Sequence, residues 1–215
     1  MAWSDTGDFT SGQILTAAAM DKVREALFFG QATFTNEAAR DTAFANPGAL
    51  APITLQEGMR AYLTAPTVPT ATGATSTSVP TGVMTVYNGS VWVCVTEVGA
   101  AATAASQALT TSYADLVVSA ANTSVTLVTG TSALVMMTAR ATLSNNFCTL
   151  NVKTGTVASA ATGATAPGTT GYGIASRTFV MTGLTAGTNT FTLIGTANVN
   201  GGNFDQHSLV VKGIA

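Results

Sequence analysis

From residue 133 to residue 143 the side chains alternate between two kinds of position. Val135, Met137, Ala139, Ala141 and Leu143 fall on one side, and Leu134, Met136, Thr138, Arg140 and Thr142 on the other. A β-strand turns successive side chains to opposite faces. The stretch therefore predicts a long core strand with its Val135 side inward and Arg140 facing out or into a subunit interface. The same theme recurs through the C-terminal half. Residues 113–116, 124–129, 147–153, 176–182, 189–194 and 208–212 are short runs rich in Val, Thr, Leu and Phe, parted by Gly, Asn, Thr and Ala. Residues 108–215 thus read as one antiparallel β-sandwich, with residues 159–173 as a long loop of Ala, Thr, Gly and Pro.

Charge decides what kind of surface such a fold carries. Only 8% of the 215 residues are charged, against 47% hydrophobic, and the net charge is −2. A soluble domain usually has about 25% charged residues. Thr, Ser, Asn, Gly and Ala must cover most of the surface, and a surface with so little charge repels its neighbours weakly. That suits life among other subunits. The chain has no basic block, so nucleic acid is not an expected partner. No apolar run approaches the roughly 18 residues of a membrane span, so membrane insertion is not expected, and the first residues lack the pattern of a signal peptide.

The rest of the chain reads as two smaller pieces. Residues 1–64 form an N-terminal arm and helical anchor. Trp3 and Phe9 sit in a polar arm as anchoring aromatics. Residues 17–28 predict a helix capped by Thr16, with Met20, Val23 and Leu27 on one apolar stripe. A helix this short is marginal alone, so the stripe must pack on its own chain or on a partner. Residues 36–44 predict a second short helix, ended by Pro47 and Gly48. Residues 65–107 form a linker and hairpin. Residues 65–82 are Thr, Ala, Pro, Ser and Gly, and 99–106 form a second, Ala-rich linker. Between them, Asn88-Gly89 parts two β-rich runs, a strong hairpin signal. Tyr87 and Trp92 are expected to pack this hairpin onto the N-terminal piece rather than stack on a sugar.

Three segments carry a resemblance. They are Arg40-Asp41-x-Ala43-Phe44, Glu57-Gly58-Met59-x-x-Tyr62-Leu63 and Val86-Tyr87-Asn88-Gly89-Ser90-x-Trp92. In this order they resemble a small module of tail, fibre and head-attached virion proteins of tailed bacteriophages. Gly12-Gln13-Ile14-Leu15-Thr16-Ala17-Ala18-x-Met20 is similar to the start of many of those proteins. The chain departs from the pattern at residues 47–52, which separate the first motif from Glu57. Residues 184–191 (Leu-Thr-Ala-Gly-Thr-Asn-Thr-Phe) and the closing Leu209-Val210-Val211-Lys212-Gly213-Ile214 resemble jelly-roll domains of phage fibres and spikes, similar in plan to the C1q/TNF-like fold. That resemblance implies a homotrimer.

The expected fold is mainly β: a small N-terminal α+β anchor with a hairpin, then a jelly-roll-like antiparallel β-sandwich. The expected function is non-enzymatic. The chain would be a trimeric decoration or fibre protein of the virion, anchored to capsid or tail proteins by its N-terminal region. The alternative is a minor tail or receptor-binding protein that grips a host surface glycan or protein, with Tyr172 as the possible ligand contact. Catalytic and metal-ligating residues are not expected, nor is a cofactor. Cys94 and Cys148 lack metal-ligand spacing. Asp205, His207 and Ser208 form no triad, because i and i+2 share a face of a strand and the serine lies on the other; the histidine is expected at the surface or in an interface. Glu37, Asp41 and Glu57 read as solvated carboxylates, not as a catalytic pair.

Overall fold

The computed structural model describes residues 32–45, 55–102, 107–118, 121–143, 147–155, 157–158, 163–166, 171–198 and 202–215. The chain divides into two compact units, Met1–Ala32 and Thr33–Ala215. Trp3, Phe9, Met20, Val23, Leu27 and the helix expected over 17–28 lie outside the described residues.

Strand β1 (Ala32–Phe34) leads into helix α1 (Glu37–Ala45). Asn36 caps the helix: its Oδ1 accepts from the Ala39 N–H at 2.9 Å, and its carbonyl accepts from the Arg40 N–H at 3.1 Å. The Ala39 N–H is one of the donors a helix start leaves orphaned, and the Arg40 bond is the first intrahelical one. Glu37 in the first turn reaches across to the chain that follows β2 (Arg60–Leu63). Its carboxylate accepts from the Thr67 N–H, the Thr67 hydroxyl and the Val68 N–H, each at 3.0 Å. Burial alone would raise the Glu37 pKa, but these hydrogen bonds to the charged form outweigh it and leave the pKa lowered. Glu37→Ala therefore removes the clamp between α1 and residues 67–68. We expect it to cost about 1–3 kcal/mol, read as a lower denaturant midpoint with an unchanged slope.

Residues 65–82, read as linker in the sequence, contain two short strands, β3 (Thr70–Thr72) and β4 (Ser76–Ser78). The hairpin follows as β5 (Val83–Tyr87) and β6 (Trp92–Cys94), and β1, β2, β5 and β6 form a four-stranded sheet. The closing pair is Tyr87↔Trp92, so the loop holds four residues instead of Asn88-Gly89 alone. Asn88 sits at its start and its Oδ1 accepts from the Ser90 and Val91 N–H groups. Gly89 takes φ +88°, which only glycine adopts freely. Strand β7 (Val98–Ala102) occupies the first half of the Ala-rich second linker.

The remaining strands are β8 (Gln107–Ala108), β9 (Ala114–Asp115), β10 (Val117–Val118), β11 (Ala121–Asn122), β12 (Ser124–Thr129), β13 (Ser132–Leu143), β14 (Cys148–Thr154), β15 (Val157–Ala158), β16 (Ala164–Ala166), β17 (Gly171–Thr182), β18 (Gly187–Ala197) and β19 (Asn203–Ile214). One sheet runs β15-β14-β18-β12-β3, with β16 on β14 and β9 on β18. The other runs β17-β13-β19-β7-β4, with β8 on β19. The two are antiparallel and lie in a sandwich-like arrangement, so the chain is mainly β with a single helix among the described residues. The long strands β12, β13, β14, β17, β18 and β19 alternate between the two sheets, as do β3 and β4.

The core lies between the inner faces. Phe191, Leu193, Leu127, Leu150 and Val152 come from the first sheet, and Val135, Met137, Phe204, Leu209 and Val211 from the second; all are at most 1% exposed. The alternation of residues 133–143 holds as read: Val135, Met137, Ala139 and Ala141 are buried and Arg140 is on the outer side. The hairpin module shares this core, because Leu63, Val83 and Cys94 belong to the same buried cluster. It abuts one end of the sandwich: a side chain at Gly213 would meet Val93 Cγ1 and the Cys94 carbonyl at 2.6 Å.

Candidate functional site

Among the described residues, three clusters bring polar and aromatic side chains together. The first is the hairpin module. Trp92 is 7% exposed and lies among Phe44 (ring centroids 5.4 Å apart), Tyr87 (5.5 Å) and Arg40, whose guanidinium carbon is 4.8 Å from the indole ring. Phe34 stacks on Phe44 in turn at 5.8 Å. The α1 face that brings Arg40 and Phe44 to the sheet follows from their i, i+4 spacing. Arg40 is buried, but Asp41 keeps it paired, accepting from its Nε at 2.8 Å. The Met59 and Gly58 backbone joins the cluster edge: Tyr87 N–H donates to the Met59 carbonyl at 2.9 Å, and Gly58 N–H to the Tyr87 carbonyl at 2.8 Å.

The second cluster is buried. The ladder between β13 and β19 shifts register between Arg140 and Ala141, so that Ala139 opposes His207 while Ala141 opposes Phe204. Such a bulge adds one residue to β19 and reverses its phase. Phe204 and His207 both point inward as a result, and Asp205 sits beside Arg140 on the outer side. The surface or interface position expected for His207 is corrected: it is 3% exposed, and it does not share a face with Asp205. Its Nε2 lies 2.8 Å from the Thr123 hydroxyl. That hydroxyl donates its one proton to the Gly73 carbonyl at 2.6 Å, so Nε2 carries the hydrogen and Nδ1 is a bare lone pair. Among the described residues Nδ1 has no hydrogen-bond partner. Burial pushes the His207 pKa down to about 4. The Thr123 hydroxyl lies between the imidazole and the Gly73 carbonyl, so the arrangement ties β19 to the β3–β4 corner.

The third cluster is on the surface. Tyr172 stands at the start of β17 with 69% of its surface exposed. Residues 171–173, the end of the loop expected over 159–173, are strand, paired with 141–143 of β13. The Arg140 guanidinium lies 4.8 Å from the Tyr172 ring centroid. Asp205 holds that guanidinium with both oxygens, accepting from Nε at 2.9 and 3.0 Å and from a terminal nitrogen at 2.7 Å. These bonds raise the Arg140 pKa above its ordinary value. The fork geometry fixes the guanidinium plane, and the guanidinium in turn covers one face of the tyrosine. On the same outer side, Thr142 opposes Tyr172 and Asn203, and Gln206 opposes Arg140. An aromatic face next to amides, a hydroxyl and a neutralised ion pair is the chemistry of polar-ligand contact.

Elsewhere the chemistry is sparse. Among the described residues no three His, Cys, Asp or Glu side chains gather where they could hold a metal. Cys94 and Cys148 are free, buried thiols whose pKa values burial raises. An open cleft lined by Thr154, Gly155, residues 183–185 and residues 188–190 carries no charged group. No protein-family model matches the chain, and no curated protein matches its sequence. No described helix is long and apolar enough to cross a membrane.

Proposed function

We propose that the chain is a non-enzymatic structural protein of a phage particle, a trimeric decoration or fibre protein held to the virion by its N-terminal region. The observation that carries this reading is the meeting of the three sequence segments that resemble the phage module. Arg40 and Phe44 from the first, Met59 from the second, and Tyr87 and Trp92 from the third converge on one packed cluster. Segments so far apart in the chain serve one structural unit, as the resemblance implies. Strand alternation between two sheets supports a jelly-roll plan for residues 108–215, with β3, β4 and β7 added from the preceding segment. The module sits at the Gly213 end of the sandwich, and Tyr172 lies at the opposite end of the β17–β13 ladder. An anchor at one end and a displayed tip at the other is the layout a projecting subunit needs.

The deciding measurement is the solution mass of the full chain by light scattering. A trimer has three times the 21.6 kDa of the chain. A monomer at tens of micromolar would remove the trimer from the reading. Tyr172 favours a second reading, a minor tail or receptor-binding protein, because an exposed ring braced by Arg140 and Asp205 stands at the end away from the module. On that reading Tyr172→Ala abolishes adsorption of the fluorescent chain to host cells and leaves its mass unchanged.

A further inference from the structure

The chain's single histidine is buried where three strands meet the β3–β4 corner. Opposite His207 of β19 stand Ala102 of β7 and Ala139 of β13. Thr123, just before β12, reaches its Nε2 and donates onward to the Gly73 carbonyl. Two hydrogen bonds in a row thus lead from the ring to a glycine that is only partly buried. The elements packed around the imidazole offer it no charge. β3, β4, β7, β8, β12 and β18 carry no titratable side chain, nor do the joining residues 103–106 and 119–120. On β19 and β13, Asp205 and Arg140 pair with each other on the outer side, where Lys212 stands opposite Leu134. Asp115 of β9 is held by Lys153 and by the Asn122 amide.

The least firmly held of these neighbours is the segment 70–78. β3 and β4 are each the last strand of their sheet, and each is held by three residue pairs, to β12 and to β7. Around Gly73 the segment is Thr, Ala and Ser, and Ala71 and Ala74 are its contribution to the core. Its flanks are fixed: Glu37 holds Thr67 and Val68, and Val83 pairs with Leu63. Few apolar contacts and few ladder bonds mark the parts of a fold that open first.

We propose that His207 is an acid-sensitive latch on segment 70–78: a proton on its Nδ1 releases the segment from both sheets while the rest of the sandwich stays folded. The charged ring keeps its donor to Thr123 but gains a second N–H with no acceptor among the described residues. A buried charge without a partner is relieved when water reaches it. The segment at the outer end of the hydrogen-bond row is the part that gives way. Its opening leaves β12 in one sheet and β7 in the other as edges free to pair with another strand. The sign follows from the two forms of the ring. In the open segment it has its ordinary pKa of 6.5, and in the closed one burial holds it at about 4. The open form binds more protons, so acid favours it, and between pH 7 and pH 5 its population rises roughly 20-fold. That window lies above the ordinary 4.5 of Glu37, whose hold on residues 67–68 is therefore unchanged within it.

The test is native-state hydrogen exchange of the full chain at a series of pH values and low urea concentrations, with rates corrected for the intrinsic effect of pH. The reporters are the amides of segment 70–78, among them Thr75, which donates to the Ala101 carbonyl, against those of the β13–β19 ladder. In wild type we expect protection of the segment to fall roughly 20-fold from pH 7 to pH 5 with little dependence on urea. The ladder should stay better protected and respond steeply to urea. In His207→Gln the segment's protection should stay level. Protection of the wild-type segment that ignores pH overturns the inference. So does a segment that shares the protection and urea slope of the ladder, because it then opens only with the whole fold. If His207→Gln fails to fold, the onset in wild type decides: a fall that starts near pH 6.5 supports the latch, and one that starts only below 4.5 overturns it.

Discussion

Lowering the pH from 7 to 4 is expected to remove about 3 kcal/mol of folding stability through His207 alone. The sign follows from the burial of the neutral ring. In the unfolded chain the imidazole has its ordinary pKa of 6.5, and in the fold it is held down to about 4. Between those values the unfolded chain binds more protons than the folded one. Stability is therefore complete above about 6.5, declines as the pH falls, and has lost this whole contribution once the pH passes below the folded value. The structural cause is specific. A second proton would go to Nδ1, a buried atom with no acceptor among the described residues, and Asp205 is on the wrong side of the sheet to answer its charge. Glu37, whose pKa is lowered, acts in the same direction but only below its ordinary 4.5. The window from 6.5 to 4.5 thus reports the histidine. Urea midpoints measured across it should fall steadily for wild type and stay level for His207→Gln, which keeps a donor for Thr123. A level wild-type profile would show that the ring is not held neutral.

Gly73→Ala is expected to be the most damaging single methyl in the molecule. Gly73 has φ +59° and turns the chain from β3 in one sheet to β4 in the other. A side chain there would fall on the backbone carbonyl of Asn122 and on the Ala121 oxygen, within contact distance of both. Backbone atoms on two strands would have to move, and the left-handed conformation adds about 1 kcal/mol for a residue with a Cβ. Displacement also breaks the Gly73–Thr123–His207 chain of hydrogen bonds, in which each lost buried bond costs about 1–3 kcal/mol. We expect a total loss of at least 3 kcal/mol. Gly155→Ala, also at positive φ but with open space around it, serves as the reference for conformational strain without collision. Similar melting temperatures for the two variants would mean that the corner has room.

What the sequence disclosed depended on length and phase. Residues 124–129 and 133–143 are long enough to display period two, and they match β12 and β13 to within one residue. Residues 36–44 were legible as a helix ended by Pro47 and Gly48, and α1 spans Glu37–Ala45. Strands β3, β4 and β7 stayed hidden because three to five residues of Thr, Ala, Ser and Gly show no period, and edge strands need little hydrophobicity to pair. The His207 site was hidden by the bulge. Alternation from residue 208 back to 203 puts the histidine and Asp205 on one face, and one extra residue undoes that. The Asn-Gly hairpin signal pointed to Tyr87 and Trp92 as packing on the N-terminal piece, but Phe44 as the ring they meet is far away in sequence and no local pattern named it. Tyr172 was visible as an exposed aromatic, but its brace was not, because Arg140 and Asp205 meet it only through strand register.

The alternation of strands between sheets has a consequence in time. Apart from short hairpins such as β5–β6, β10–β11 and β14–β15, the ladders that build the core join distant parts of the chain: Ala71 with Val125, Leu127 with Asn189, Val98 with Val211. Contacts of such long sequence separation make folding slow. β7 pairs with β4 as soon as it is made but meets its other neighbour only once β19 has followed, and β13 lies between β17 and that same strand. The sandwich therefore cannot close until β19 has been made. Until then β7 and β13 each lack one neighbour, which favours expression at low temperature and at a slow rate of synthesis.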